Sequence, residues 1–251
     1  ADVAYVGAGV LGSAVGMDKA LFKDVMRARG IPVLEWGVFS SAELQADAGA
    51  VIERCQQIAE YPLFVKPANL GSSVGISKCR NRSDLLEGLM DAVRYDRRIL
   101  VERGISAREI EVSVLGNENP RASIPGEIRP SEEFYTYRAK YLDNLSELII
   151  PARLSAEQAA EAQDLALRAY TAIDGAGMAR VDFLLDRESG KLYLNEINTI
   201  PGFTQISMYP KLWEASGLPY PALVDELIRL ALQRKAQRDR LERQYERPEA
   251  K

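Results

Sequence analysis

The sequence of 251 residues contains no histidine and only two cysteines, Cys55 and Cys79. Without histidine the chain can form neither a Ser-His-Asp nor a Cys-His catalytic group, and no His-ligated metal site. Two cysteines are too few for a cysteine-rich zinc site or a disulfide framework, which agrees with a reducing, cytoplasmic environment. Any catalysis must therefore depend on carboxylates, lysines, hydroxyls and hard metal ions.

The chain also lacks a strong excess of either charge and lacks long apolar runs. It has 32 Lys and Arg against 36 Asp and Glu, a formal charge of −4, which argues against a broad nucleic-acid or anionic-membrane surface. No apolar run approaches the roughly 20 residues of a membrane span, and no basic-then-apolar signal peptide is present. With 47% hydrophobic and 27% charged residues, the composition indicates a soluble globular protein. We expect neither nucleic acid nor membrane as a partner.

Helix and strand patterns alternate along the chain, which favours an α/β or α+β fold. The spacing predicts an amphipathic helix over residues 18–29. Leu21, Val25 and Ala28 share one face, with Phe22 and Met26 beside them, and lysines and acids lie on the opposite face. Further helices are predicted over 41–58, 83–95, 155–173 and 220–232. Strands are predicted over 3–6, 31–39, 63–67, 98–102, 109–115, 179–185 and 192–197.

Two charged segments depart from this pattern. Residues 131–150 are rich in tyrosine and charge and have little periodicity, which predicts a large surface loop. Such a loop suits a lid over a charged substrate, and a partner-binding loop is the alternative. Residues 233–251 are dominated by charge, which predicts an exposed helical tail.

A glycine-rich segment, Gly7-x-Gly9-x-x-Gly12, follows the first predicted strand. It matches the dinucleotide-binding fingerprint, and Glu35 lies where a ribose-binding acid could sit. The alternative is a connection whose glycines let the backbone pass close to a neighbour. We prefer the connection, because a lone fingerprint is a weak signal.

A lysine and a serine pair could bind an anion. Lys66 ends the apolar strand 63–67, and Gly71-Ser72-Ser73-Val74-Gly75 follows it. Backbone N–H groups and hydroxyls in such a loop can contact phosphate oxygens. A surface hairpin with a lysine that extends to solvent explains the same residues, and the two interpretations stay open.

Two carboxylates and an amide end the last predicted strand pair. Glu196 and Asn198 share one face of their strand, and a hairpin about the turn at 186–191 would bring Asp182 beside Glu196. Two carboxylates and an amide oxygen suit Mg²⁺. The alternative is that Arg180 alone neutralises the two carboxylates. A register shift of one residue would separate Asp182 from Glu196.

A Pro-Gly turn follows these residues. Thr199-Ile200-Pro201-Gly202-Phe203-Thr204 leads to Ser207. A turn at this place could aim a backbone N–H at a developing oxyanion, although by itself it predicts only a turn.

Several motifs of this chain, taken in the order in which they occur, resemble those of D-alanine–D-alanine ligases of the ATP-grasp superfamily. The resemblance covers about residues 1 to 232. The motifs that carry the resemblance are Met17-Asp18-Lys19, Phe64-Val65-Lys66-Pro67, the 71–75 loop, Val101-Glu102, Arg108-Glu109-Ile110-Glu111, Tyr135-x-Tyr137-x-Ala139-Lys140-Tyr141, Arg180-Val181-Asp182, Asn195-Glu196-Ile197-Asn198-Thr199-x-Pro201-Gly202 and Ser207-Met208-Tyr209-Pro210. The resemblance implies an α+β fold in which two α+β subdomains hold ATP between antiparallel sheets.

The resemblance also implies a division of the chain. Residues 1–17 would be the remnant or connection of a missing N-terminal α/β domain, 18–105 the central subdomain, and 106–232 the C-terminal subdomain with the lid loop 131–150. Residues 233–251 would be the charged helical tail. The family's N-terminal domain carries a catalytic glutamate and a His-Gly loop, and the absence of histidine agrees with its loss.

The resemblance assigns roles to sixteen residues. The expected nucleotide-binding residues are Lys19, Lys66, Ser73, Glu102, Ile105, Glu109 and Lys140. The expected metal ligands are Asp182, Glu196 and Asn198, holding two Mg²⁺ ions that Mn²⁺ could replace. The expected catalytic residues are Ser72, Tyr141, Arg180 and Gly202, and Ser207 and Met208 would hold the carboxylate of the second D-alanine.

The implied activity joins two D-alanines for peptidoglycan precursor synthesis. ATP phosphorylates the carboxylate of the first D-alanine, and the amine of the second attacks the acyl phosphate. A homodimer, and an N-terminal domain supplied in trans, are open options for partners. The alternatives are a truncated, catalytically incompetent ATP-binding fragment of such a ligase, a related ligase making D-alanyl-D-lactate, and a dinucleotide-binding oxidoreductase.

Overall fold

A computed structural model describes residues 2–129, 147–204 and 206–242. The helices are α1 (Val10–Met17), α2 (Lys19–Ala28), α3 (Ser41–Ala46), α4 (Ala48–Gln56), α5 (Arg82–Ala92), α6 (Ala156–Ala172), α7 (Met208–Ala215) and α8 (Tyr220–Asp239). The strands are β1 (Trp36–Ser40), β2 (Leu63–Pro67), β3 (Ser77–Cys79), β4 (Arg98–Arg103), β5 (Ala107–Gly116), β6 (Arg121–Ala122), β7 (Gly126–Arg129), β8 (Glu147–Ile149), β9 (Gly177–Asp186) and β10 (Leu192–Asn198).

The described strands form two antiparallel sheets. The first sheet has four strands in the order β1-β4-β2-β3. The second has six strands, with the order β10-β9-β5-β7-β8 and with β6 paired to β5. Antiparallel sheets covered by helices are α+β, so the expected fold class is confirmed.

The first sheet packs one face against α3, α4 and α5. Leu63 and Val65 of β2 are fully buried in this core, together with Ile99 and Val101 of β4. Because side chains alternate across a strand, Phe64 and Lys66 project from the opposite face. That opposite face is the one that carries the phosphate-binding candidates.

The second sheet divides its faces in the same way. On β9, Ala179, Val181 and Phe183 are buried against α6. The alternate residues, among them Arg180 and Asp182, are half-buried on the other face. This second face of β9 is therefore open to the candidate site.

Helix α2 connects the two sheets, and its predicted apolar face is buried only in part. The helix forms where expected, and the Asp18 side chain caps its first turn. Phe22 and Met26 are buried in the core of the second sheet, whereas Leu21 is 45% exposed. Lys23, expected on the polar face, is buried against the first sheet with 2% of its surface exposed. A helix packed between two sheets buries more of its circumference than one apolar stripe predicts.

The predicted helix over 41–58 is interrupted. Ser40 and Glu43 form the capping box of α3, as their spacing suggests. Asp47 then ends α3 and caps α4 through its side chain, which accepts a hydrogen bond from the Ala50 N–H at 2.9 Å. Asp often caps helices because its side chain competes for backbone donors, and here it divides one predicted helix into two.

The N-terminal segment is not a strand within the described residues. Val3–Val6 pair with no other described strand, so the context that a dinucleotide fingerprint needs is absent there. A Cβ added to Gly12 would lie 2.8 Å from the Ile173 carbonyl oxygen, and one added to Gly177 would lie 2.8 Å from the Gly7 nitrogen. The glycines therefore permit close backbone approach, as the preferred interpretation holds.

The C-terminal helix extends beyond its predicted end at residue 232. Helix α8 continues to Asp239, and the Arg234 guanidinium donates to the Gly7 carbonyl oxygen at 2.7 Å. Lys235 and Arg238 lie 3.1 and 3.2 Å from the Asp2 carboxylate. The described part of the charged tail is thus helical but contacts the N-terminal segment. Residues 243–251 lie outside the described residues.

The predicted loop at 131–150 is wrong at its end, because Glu147–Ile149 form strand β8 against β7. Residues 130–146 lie outside the described part of the chain. Within the described ranges, every helix is too short or too polar to span a bilayer.

Candidate active site between the two sheets

The metal-binding candidates are brought together by an irregularity in the β9–β10 hairpin. Leu194 pairs with Phe183, but the register shifts at the next residue, and Glu196 pairs with Asp182. Asn195 is the extra residue of this β-bulge. In a regular ladder Asn195 would oppose Asp182, and Glu196 would point into the core. The bulge places both Asn195 and Glu196 on the open face.

The Arg180 guanidinium binds the carboxylates of this face. Its Nε and Nη2 donate to Asp182 Oδ1 and Oδ2, each at 2.7 Å. The Nε also lies 3.1 Å from Glu111 Oε2, and Glu111 pairs with Asp182 across β5 and β9. Burial would lower the pKa of Arg180, but the charges of Asp182 and Glu111 outweigh it and raise this pKa well above its ordinary value. Arg180 therefore stays charged and neutralises part of the cluster.

The amide of Asn198 completes this cluster. Its Nδ2 donates to Asp182 Oδ2 at 3.0 Å and to Glu196 Oε1 at 3.3 Å. Amide oxygen and nitrogen are assigned from such contacts, so rotation by half a turn would direct Oδ1 to the same place. Among the described residues, no group of three or more cysteine or carboxylate side chains forms a metal site. The two carboxylates and one amide nevertheless supply the hard oxygen ligands that Mg²⁺ accepts.

Two lysines bind one buried carboxylate on the first sheet. Glu102 of β4 is 2% exposed, and Lys66 Nζ forms an ion pair with its Oε1. Lys23 Nζ lies 2.9 Å from Oε2 of the same carboxylate. Burial alone would raise the pKa of Glu102, but the two lysine charges and their hydrogen bonds lower it to about 2. Glu102 is therefore ionised at neutral pH.

Lys66 also reaches the second sheet. Its Nζ lies 3.5 Å from Oδ1 of Asn195, the bulge residue. The predicted phosphate-binding lysine and the predicted metal strand therefore meet at one place between the sheets.

The serine loop lies beside Lys19. The Lys19 backbone N–H donates to the Ala68 carbonyl oxygen at 2.9 Å, and its Nζ donates to the Leu70 carbonyl oxygen. Ser72 and Ser73 both have positive φ, 56° and 59°. Left-handed conformations cost non-glycine residues roughly 1–2 kcal/mol each, and such strain is concentrated at functional sites.

The Pro-Gly turn leads directly into α7. Ser207 is the N-cap of α7, and its Oγ accepts a hydrogen bond from the Thr204 N–H at 3.0 Å. A Cβ added to Gly202 would lie 3.0 Å from this Oγ, so the turn and the helix start are in close contact. Met208 is buried, with its side chain in a small core with Leu212. The first N–H groups of α7 are donors without a side-chain cap.

The remaining predicted residues lie around this space or outside the described residues. Ile105 is half-buried in the connection between β4 and β5, and Glu109 is half-buried on β5, opposite Leu184. Lys140 and Tyr141 lie outside the described part of the chain.

Three residues of the site were not assigned from the sequence. Glu111 and Asn195 stood inside quoted motifs, and alternation placed Glu111 on the same face as Glu109. Lys23 follows Lys19 by four residues, so the two lysines share a helix face. That spacing was the one available signal for Lys23.

Comparisons with known proteins identify the family of the chain. The family model described as D-ala D-ala ligase C-terminus matches residues 25–229. The D-alanine–D-alanine ligase of Heliobacterium modesticaldum is 54% identical over 240 residues, covering 96% of this chain and 66% of that protein. The ligase of Thermoanaerobacter sp. is 57% identical over 233 residues, covering 92% and 64%. The chain therefore spans just under two thirds of the length of these relatives.

Solved structures show the same fold. The D-alanine–D-alanine ligase from Coxiella burnetii has a TM-score of 0.83 and 42% identity, covering 95% of this chain and 63% of that one. The VanG D-Ala:D-Ser ligase from Enterococcus faecalis has a TM-score of 0.81 and 34% identity, covering 90% and 64%. The expected ATP-grasp fold is confirmed, and the chain belongs to the D-alanine–D-alanine ligase family, whose C-terminal part its residues 25–229 match.

Proposed function

We propose that this chain binds ATP between its two sheets and contributes to the ATP-dependent ligation of two D-alanines. The observation that carries the proposal is the contact between Lys66 of the first sheet and Asn195 of the second, 3.5 Å apart. It places a lysine from one sheet beside the carboxylate cluster of the other. Phosphoryl transfer depends mainly on such positioning and charge neutralisation.

The first sheet supplies the nucleotide contacts in this proposal. Lys19 and Lys66 neutralise phosphate oxygens, and the 71–75 loop offers backbone N–H groups beside them. Ile105 and Glu109 line the adenine and ribose end. The family resemblance assigns Glu102 there as well, but its buried carboxylate binds Lys23 and Lys66 in this chain. Ser73 belongs to the phosphate loop, and its left-handed conformation supports that role.

The second sheet supplies the cation site. Asp182, Glu196 and Asn198 would hold two Mg²⁺ ions, which Mn²⁺ could replace, and the ions would neutralise phosphate charge. Arg180 must then give up part of its contact with Asp182. A guanidinium released in this way would be available to stabilise a developing oxyanion.

The acceptor end is formed by the turn and α7. The Gly202 N–H adds a second oxyanion donor, and Ser207 with the Met208 N–H holds the carboxylate of the second D-alanine at the start of a helix, where anions are favoured. Ser72 and Tyr141 orient the acceptor amine, and Lys140 reaches the γ-phosphate. All of these residue roles derive from the family resemblance, as does a cytoplasmic location.

Calorimetric titration with ATP and Mg²⁺, followed by a phosphate-release assay with D-alanine, tests the proposal. We expect saturable binding, and phosphate release with D-alanine but not with L-alanine. D-serine and D-lactate serve as competing acceptors, because one structural relative is a D-Ala:D-Ser ligase. We favour D-alanine because the relatives with 54% and 57% identity are D-alanine–D-alanine ligases.

A second candidate function is nucleotide binding without turnover. The observation behind it is that the chain spans 64–66% of the length of these relatives. ATP binding with no phosphate release would support this alternative. Failure of wild-type chain to bind ATP would contradict both.

A further inference from the structure

One buried charge in the candidate site touches neither the cleft nor the second sheet's carboxylates. Lys23 of α2 is 2% exposed, and its Nζ lies 2.9 Å from Oε2 of Glu102. Its ammonium is also 5.5 Å from the centroid of the Trp36 ring, and Trp36 pairs with Glu102 across β1 and β4. A buried lysine is costly, since burial lowers the pKa of Lys23 despite the attraction of Glu102. Packing alone would be satisfied by an apolar side chain of similar length.

The charges of Lys23, Glu102 and Lys66 do not cancel. Lys23 and Lys66 share the single carboxylate of Glu102, one oxygen each. Glu35, which immediately precedes β1, is 57% exposed and lies 3.3 Å from the guanidinium of Arg103, so its charge is offset separately. The Lys23–Glu102–Lys66 cluster therefore carries one positive charge in excess. Lys66, with 11% of its side chain exposed, is the member that faces the cleft.

We propose that Lys23 is a positioning residue for nucleotide phosphates. The Lys23 ammonium pairs with one oxygen of the Glu102 carboxylate, and Lys66 pairs with the other. Glu102 therefore orients Lys66 without cancelling the positive charge of the cluster. The proposal rests on the proposed ATP site and extends it to a residue that does not line the cleft. Without Lys23, the carboxylate would be balanced by Lys66 alone, and the cluster would present no net charge to an anion.

Four proteins test this charge count: wild type, Lys23→Met, Glu102→Gln and the double variant. When the charges of residues 23, 102 and 66 are added, the clusters of these four proteins carry net charges of about +1, 0, +2 and +1. The measured quantity is the ratio of ATP affinity to adenosine affinity, from calorimetry for ATP and ligand-observed NMR for adenosine. Adenosine has no phosphate, so a change in the adenine pocket alters both affinities and leaves the ratio unchanged.

We expect the ratio to follow the cluster charge. Lys23→Met should lower it by about fivefold or more, because the variant removes the excess positive charge of the cluster. The double variant should return it to within about twofold of wild type, and Glu102→Gln should exceed the double variant by about fivefold, because it keeps the Lys23 charge. A purely structural role predicts the opposite for the double variant, which would be at least as impaired as either single variant.

Each outcome decides the question. If Lys23→Met does not fold, the comparison of Glu102→Gln with the double variant still measures the effect of Lys23, and a ratio unchanged between them overturns the proposal. A wild-type chain that binds ATP, with equal ratios in all variants, overturns the role of Lys23 alone. A wild-type chain that binds no ATP overturns both this role and the proposed function.

Discussion

Arg180 should limit how well the carboxylate cluster binds a cation before nucleotide arrives. Its guanidinium contacts both oxygens of Asp182 at 2.7 Å and lies 3.1 Å from Glu111. A divalent cation must compete with this bidentate contact. Arg180→Gln should therefore destabilise the metal-free protein and increase its stabilisation by Mg²⁺.

The burial of the Arg180–Asp182 ion pair sets the size of the stability loss in Arg180→Gln. Removing one partner of a buried ion pair costs about 3–5 kcal/mol, because the remaining charge has no counterion. The Arg180 side chain is 21% exposed and the Asp182 side chain 14%, so we expect the lower end, about 3 kcal/mol. For a protein of this length, that loss lowers the Tm by about 6–12 °C.

The stabilisation of Arg180→Gln by Mg²⁺ is measured by recording thermal unfolding at increasing MgCl₂ concentrations. A cation that binds the folded variant with a Kd of about 1 mM would restore about 1.4 kcal/mol at 10 mM, or roughly 3–6 °C. Wild type should gain less, because its guanidinium still occupies Asp182. The double variant Arg180→Gln/Asp182→Asn should recover part of the lost stability without Mg²⁺ and lose the added response to Mg²⁺.

Arg168→Gln is the matched control. Arg168 lies 3.3 Å from Asp164, with side chains 45% and 66% exposed, so its loss should cost less than about 1 kcal/mol. Its response to Mg²⁺ should equal that of wild type. The reasoning is refuted if Arg180→Gln melts within about 2 °C of wild type, or if Mg²⁺ stabilises it no more than wild type.

Three further predictions follow from buried polar groups. Tyr170→Phe should lower the free energy of unfolding by about 1–3 kcal/mol, because the buried Tyr170 hydroxyl donates to the Gly116 carbonyl oxygen at 2.7 Å; an unchanged urea midpoint would contradict this. Glu102, whose folded pKa is lowered from 4.5 to about 2, should contribute stability above pH 4.5 that is lost as the pH falls toward 2, about 3 kcal/mol in total. Urea unfolding between pH 6 and pH 3 should show about 2 kcal/mol of this loss in wild type and a smaller loss in Glu102→Gln, and equal losses would refute it. Cys55 and Cys79 are fully buried, and burial raises the pKa of each thiol to about 12, so neither should react with a thiol reagent at pH 8 until the protein is unfolded.

Local sequence patterns determined most of the secondary structure. The capping boxes of α3 and α6 begin at Ser40 and Ser155, each with its acceptor three residues later. Strand β2 could be read from its apolar residues, and the β9–β10 hairpin from two such strands and a turn. These patterns involve residues that are close together in the sequence, so they can be recognised without the tertiary structure.

The order of motifs along the chain determined the family and the expected ATP-grasp fold, which the comparisons confirm. The individual site roles remain predictions. The structure brings together Asp182, Glu196 and Asn198. Lys140 and Tyr141 lie outside the described residues.

Contacts between distant segments decided the rest. The bulge at Asn195 turns Glu196 from the core face to the open face, and no periodic pattern distinguishes a bulged strand from a regular one. Lys23 was placed on the polar face of α2, yet it is buried because the first sheet covers that face and Glu102 of that sheet provides a carboxylate. A pattern along one helix reports its hydrophobicity, whereas the burial of a charge depends on which partner the tertiary structure brings to it.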